Sequence, residues 1–146
     1  MESKFPLMYP DILLRAAVFI DAEANTALQI DALGITFTQY RILQNIADGA
    51  TVQAAVAHIL AVSHPAMSRH VKNLEADKLI TRTINADMRR EHHLELTKRG
   101  EALRKRAEQV LSKHLRKTLA PISSSARTSA MTTLQKTINA CAHNAE

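Results

Sequence analysis

Only one short stretch of this 146-residue chain, residues 79–96, alternates apolar and polar side chains with a period of two. Leu79-Ile80-Thr81-Arg82-Thr83-Ile84 and Glu91-His92-His93-Leu94-Glu95-Leu96 flank the turn-forming Asn85-Ala86-Asp87, which predicts a two-stranded hairpin. On both sides of it apolar residues recur at three- and four-residue steps, the period of a helix. The chain has only 3 Gly and 4 Pro, so little interrupts those helices. The expected fold class is mostly α with one small β-hairpin.

The helical segments can be bounded one by one. Met8, Ile12, Leu13, Ala16, Phe19, Ile20, Ala27, Leu28 and Ile30 outline a long first helix over residues 8–32, with Gly34 as its left-handed cap. A second helix starts behind Thr36 or Thr38, carries Tyr40, Ile42, Leu43 and Ile46, and stops at Asp48-Gly49. Thr51 is expected to open a short third helix over residues 51–60, with Val52, Ala55, Val56 and Ile59 on one side. Ser63 is the N-cap of a fourth, and Pro65 falls in its first turn, where a missing N–H costs nothing. Met67, Val71 and Leu74 form its core stripe, whereas Pro65, Ser68, Arg69 and Lys72 form a polar, basic face. Thr97 caps a long helix reaching about Leu119, Pro121 interrupts it, and Met131, Leu134, Ile138 and Cys141 mark a last helix.

Charge is unevenly spread. Residues 63–106 hold eleven Lys or Arg against six acids, and the rest of the chain is neutral, so the whole formal surplus of +5 lies in one central block. Such a block is an electrostatic footprint for a polyanion. Other classes find no support: there is no 20-residue apolar span, no Gly-rich phosphate loop, no nucleophile elbow and no pair of carboxylates suited to acid–base chemistry. No enzyme, cofactor or membrane partner is expected, and the absence of a secretory signal points to the cytoplasm. No metal is expected either. His92 and His93 alternate faces on a strand, and His58, His64, His70 and His114 lack zinc spacing. Cys141 is the single cysteine, without a resolving partner, and reads as a packed, inert thiol.

A helix pair followed directly by a hairpin is the order of a winged helix-turn-helix. In such a unit the second helix enters the major groove and reads bases near its N-terminal end. The side chains so placed here are His64, Pro65, Ser68 and Arg69, with Lys72 a turn further on and suited to phosphate, and the N-cap Ser63 is counted with them among the DNA-binding residues. At the hairpin tip Arg89 and Arg90 suit the narrow, electronegative minor groove, and Asp87 would hold one guanidinium extended.

Asp87-x-Arg89, six residues, Leu96-Thr97, two residues and Gly100 match the wing-to-helix signature of the multiple antibiotic resistance regulator (MarR) family. Residues 35–43 resemble that family's second helix and residues 68–75 its recognition helix. Lys78 departs from the family's usual Gly before the strand, and Ala86 from a common Pro. The resemblance implies one domain over residues 1–146: a DNA-binding lobe at 33–99 and dimerisation helices at 1–32 and 100–146. It further implies a homodimer presenting two winged helices to a pseudo-palindromic double-stranded DNA operator as a transcriptional regulator, in the first instance a repressor. A small aromatic or phenolic effector would bind between the dimer helices and the lobe, with Arg15, Phe19 and Phe37 as its candidate pocket. The competing expectation is a winged-helix protein-interaction module that does not bind DNA. Arg69, Arg89 and Arg90 speak against that module, which has no need of charge at both groove-reaching positions.

Overall fold

The computed structural model describes residues 5–85 and 91–143. Six helices and one hairpin follow in the order α1 (Phe5–Ile30), α2 (Phe37–Ala47), α3 (Gln53–Ile59), α4 (His64–Ala76), β1 (Ile80–Asn85), β2 (Glu91–Leu96), α5 (Lys98–Thr118) and α6 (Ser124–His143). The strands pair antiparallel in the register Ile80↔Leu96 through Asn85↔Glu91. Among the described residues no helix is long and apolar enough to cross a membrane.

Helix ends carry the local logic. Thr36 opens α2 through a capping box: its hydroxyl accepts from Gln39 N at 3.2 Å, and Gln39 Oε1 accepts from Thr36 N at 2.9 Å. Thr97 caps α5 through its side chain alone, accepting from Gly100 N at 2.9 Å. The expected left-handed cap at Gly34 is displaced. Leu33 N reaches back to Leu28 O and Ala32 N to Gln29 O, so Ala32, at φ +50°, closes α1, and Gly34, at φ +71°, bends the chain afterwards. Ala61 and Lys78, at φ +53° and +58°, end α3 and α4 the same way. Lys78 therefore makes the left-handed turn despite its Cβ.

The start of the third helix also differs from expectation. Thr51 O accepts from Leu94 N at 2.8 Å, and Val52 forms a bridge with His93, so these two residues extend the hairpin sheet rather than the helix. Their backbone groups are committed to β2, and α3 begins at Gln53 with Val52 as an N-cap that supplies no side-chain oxygen. Its buried residues are Val56 and Ala57, joined by Leu60, while Ile59, expected on the packed side, is 57% exposed.

One core joins the C-terminal half of α1 to everything up to the middle of α5. Ala24 and Leu28 meet Ile42 and Leu43 of α2, Val56 of α3, Met67, Val71 and Leu74 of α4, Leu79 and Leu94 of the hairpin, and Ala107 and Leu111 of α5. Each large side chain so buried contributes roughly 1.5–3 kcal/mol. A polar clamp crosses the core's edge. Arg104, 8% exposed, binds Glu101 with two nitrogens at 2.8 and 2.9 Å and gives Nη1 to Gln44 Oε1 at 2.7 Å, tying α5 to α2.

Outside this core the apolar stripes of α1 and α6 are bare. Met8, Ile12, Val18 and Phe19 on α1 and Met131 and Ile138 on α6 are all exposed in the single chain. Cys141, expected to be packed, is exposed beside them in the sequence of α6.

Candidate nucleic-acid interface

The helix expected to read bases is α4, and its two faces are separated by burial. Met67, Val71 and Leu74 are fully buried, which forces Pro65, Arg69 and Lys72 onto the exposed side. Ser63 sits at the N-cap and accepts from Ala66 N at 3.4 Å, and His64 and Pro65 form the exposed first turn. Ser68 lies half-buried at the flank between the faces. The structure thus brings Ser63, His64, Pro65, Ser68, Arg69 and Lys72 to one end and one side of a single helix. Asp87, Arg89 and Arg90 lie outside the described residues.

The electrostatics of the lobe are narrower than the residue count implies. Arg104 is spent on the α2–α5 clamp, and Arg82 faces Glu75 across 3.3 Å. Hydrogen bonding from Arg104, against some burial and with help from Lys105, holds the Glu101 carboxyl down at about 2, and Glu101 raises the guanidinium in return. Burial, and then the adjacent Arg69 charge, hold the His70 imidazole below its usual range, so it adds no charge to α4 at neutral pH. Among the described residues, the cations of this block that remain exposed are Arg69 and Lys72 on α4, Lys78 in the turn after it, and Lys98, Arg99, Lys105 and Arg106 on α5.

The hairpin is anchored by the residues of the wing-to-helix signature. Thr97 Oγ1 lies 2.8 Å from Lys78 O and 3.1 Å from Leu79 O, and Thr97 N donates to Leu79 O at 3.1 Å. Gly100 presses against the same carbonyl: a Cβ there would stand 1.9 Å from Leu79 O. Thr97 and Gly100 therefore lock the end of β2 and the start of α5 onto the turn that follows α4, which fixes the hairpin relative to α4.

Sequence reasoning missed Gln53. It stands in the first turn of α3, half-buried, and its Nε2 donates to Ser68 Oγ at 3.3 Å. No spacing rule announces this contact, because it depends on the turn at Ala61 that folds α3 against α4.

The three candidate pocket residues are spread out. Arg15 faces Asp11 at 3.9 Å on the exposed side of α1, and Phe19 is 65% exposed. Phe37 is half-buried at the foot of α2, stacked on Tyr40 at 6.1 Å with Arg41 over its ring at 6.0 Å. A cleft of about 410 Å³ opens between α1 and α5, lined by Ala27, Ile30, Asp31, Val110, Lys113 and His114 among others.

Comparison with known proteins agrees with this geometry. Residues 33–91 match the sequence profile of the MarR family. No curated protein matches the chain. The transcriptional regulator BldR from Sulfolobus solfataricus superposes with a TM-score of 0.86 at 19% identity, over 95% of this chain and 98% of that one. A mutant MarR from E. coli, complexed with operator DNA, gives 0.79 at 18% identity over 92% and 96% of the two chains. The S. aureus MepR–DNA complex gives 0.74 at 22% identity over 90% and 97%. The lobe of residues 33–91 thus matches the MarR family's profile, and the whole described fold, hairpin and flanking helices included, is similar to the fold of those regulators' structures.

Proposed function

We propose that this protein is a transcriptional regulator that binds a pseudo-palindromic DNA operator as a homodimer and represses from it. The observation that carries the reading is the exposed face of α4, where Pro65, Arg69 and Lys72 project away from the buried Met67–Val71–Leu74 stripe and His64 is exposed in the first turn. A helix presented this way fits the major groove, with Arg69 suited to a guanine edge and Lys72 to phosphate. The DNA complexes of structurally similar proteins support the same mode of use. Dimerisation is supported by the bare apolar faces of α1 and α6, which a second copy would cover. Two recognition helices then need a separation of about one DNA turn, roughly 34 Å. Release follows if a small aromatic or phenolic effector, held near Arg15, Phe19 and Phe37, favours a dimer in which that separation is lost.

The test is a gel-shift of the full chain on genomic fragments at several salt concentrations, with Arg69→Ala and Arg89→Ala beside the wild type. Steep loss of binding with salt marks phosphate neutralisation. Both variants should remain folded and dimeric while binding at least several-fold more weakly. A folded dimer indifferent to every duplex at low ionic strength would leave the interaction-module reading in its place.

A further inference from the structure

We infer that Gln53 orients the Ser68 hydroxyl, turning its proton outward as a donor to acceptor atoms on a base edge; this rests on the DNA-binding reading above. Gln53 Nε2 donates to Ser68 Oγ at 3.3 Å, and this is the side-chain hydrogen bond that Ser68 makes among the described residues. With a lone pair so occupied, the hydroxyl proton of Ser68 is free to point outward, toward the side of α4 that carries Pro65, Arg69 and Lys72.

The opposite arrangement is disfavoured by the surroundings of Gln53. Its Oε1 is buried and meets no partner among the described residues. Turning the amide over would place Nε2 and its N–H donors in that unpartnered spot, and buried orphan donors are tolerated less well than an under-satisfied carbonyl. The amide therefore keeps its nitrogen toward Ser68. An outward-pointing proton is matched by guanine O6 or N7, adenine N7 or thymine O4, and is opposed by the cytosine N4 amine, toward which only the remaining lone pair could turn. Gln53 acts here as a positioning residue, reaching the operator only through Ser68.

The experiment is selection of bound sequences from a randomised duplex library by the full-length wild type and the variants Ser68→Ala, Gln53→Met and Gln53→Glu, each first checked for wild-type circular dichroism and dimer mass. Ser68→Ala should lose about two- to ten-fold discrimination at one base pair per half-site, the range of a single hydrogen bond. Gln53→Met should relax the same base pair, and the double variant should lose no more than Ser68→Ala alone. Gln53→Glu, whose carboxylate only accepts, should draw the Ser68 proton inward and shift preference at that position toward amine-bearing edges. If Gln53→Glu does not fold, the methionine variant decides. A Gln53→Met protein that keeps the wild-type preference, or loses affinity equally for all sequences, overturns the inference. A wild type that enriches no motif removes the DNA-binding reading itself, and the inference falls with it.

Discussion

Replacing Gly100 by Ala adds one methyl group where α5 presses against the backbone of Leu79, just past the turn after α4. The added Cβ would lie 1.9 Å from Leu79 O and 2.9 Å from its carbonyl carbon. Real Cβ contacts stay beyond 3.0 Å, so the two backbones must part by at least about 1.1 Å, and no flexible side chain can absorb the shift. Parting strains the bonds from Thr97 to Lys78 O and Leu79 O, two or three of them at about 1 kcal/mol each. Overpacking adds about 1–3 kcal/mol, and the better helix propensity of Ala returns up to about 1 kcal/mol. The expected loss is about 3–4 kcal/mol, which for a domain of this size lowers Tm by roughly 10 °C. Thermal unfolding followed by circular dichroism at fixed protein concentration measures it. Gly34→Ala is the control: its φ is also positive, at +71°, yet nothing lies within 4 Å of the new Cβ. That variant should cost only about 1 kcal/mol, the penalty of a left-handed alanine. A Gly100→Ala protein melting within about 2 °C of wild type would refute the claim that this contact seats the hairpin.

Three further outcomes are expected. Lys78→Gly should stabilise the protein by about 0.5–1 kcal/mol, because it relieves a left-handed Cβ at φ +58° that outweighs the chain entropy of glycine; an unchanged or lower urea midpoint counts against it. Val52→Thr supplies the oxygen that the α3 N-cap lacks and should add about 0.5–1 kcal/mol in the same assay, unless the bridge to His93 is disturbed. The Glu101 carboxyl is depressed to about 2 from 4.5, so the stability it contributes is complete above pH 4.5 and is lost as pH falls toward 2. Over that window wild type should lose stability more steeply than Glu101→Gln, and parallel pH profiles would show that the clamp through Arg104 contributes nothing.

Much of the site was legible along the chain because it is built on one helix. Ser63, His64, Pro65, Ser68, Arg69 and Lys72 fall on α4 at spacings that a 3.6-residue period alone sorts into faces. The caps at Thr36, Ser63 and Thr97 were equally readable, since each requires only a side-chain oxygen and a backbone N–H three residues on. Errors arose where a residue's fate depended on a distant segment. Thr51 reads as a helix start, yet β2 claims its carbonyl, and Ile59 reads as core, yet it is left exposed. Arg104 was counted as surface charge, yet Gln44, sixty residues earlier, and Glu101 hold it inside.

Periodicity, caps and the single alternating stretch determined by themselves a helical chain with one hairpin and a basic, outward-facing α4, because those signals act between residues a few positions apart. Tertiary structure alone decided which cations remain exposed, that Gly100 must lack a side chain, and that Gln53 faces Ser68. Each of these is a contact between elements, and its geometry follows from how the helices pack and not from any local preference of the chain.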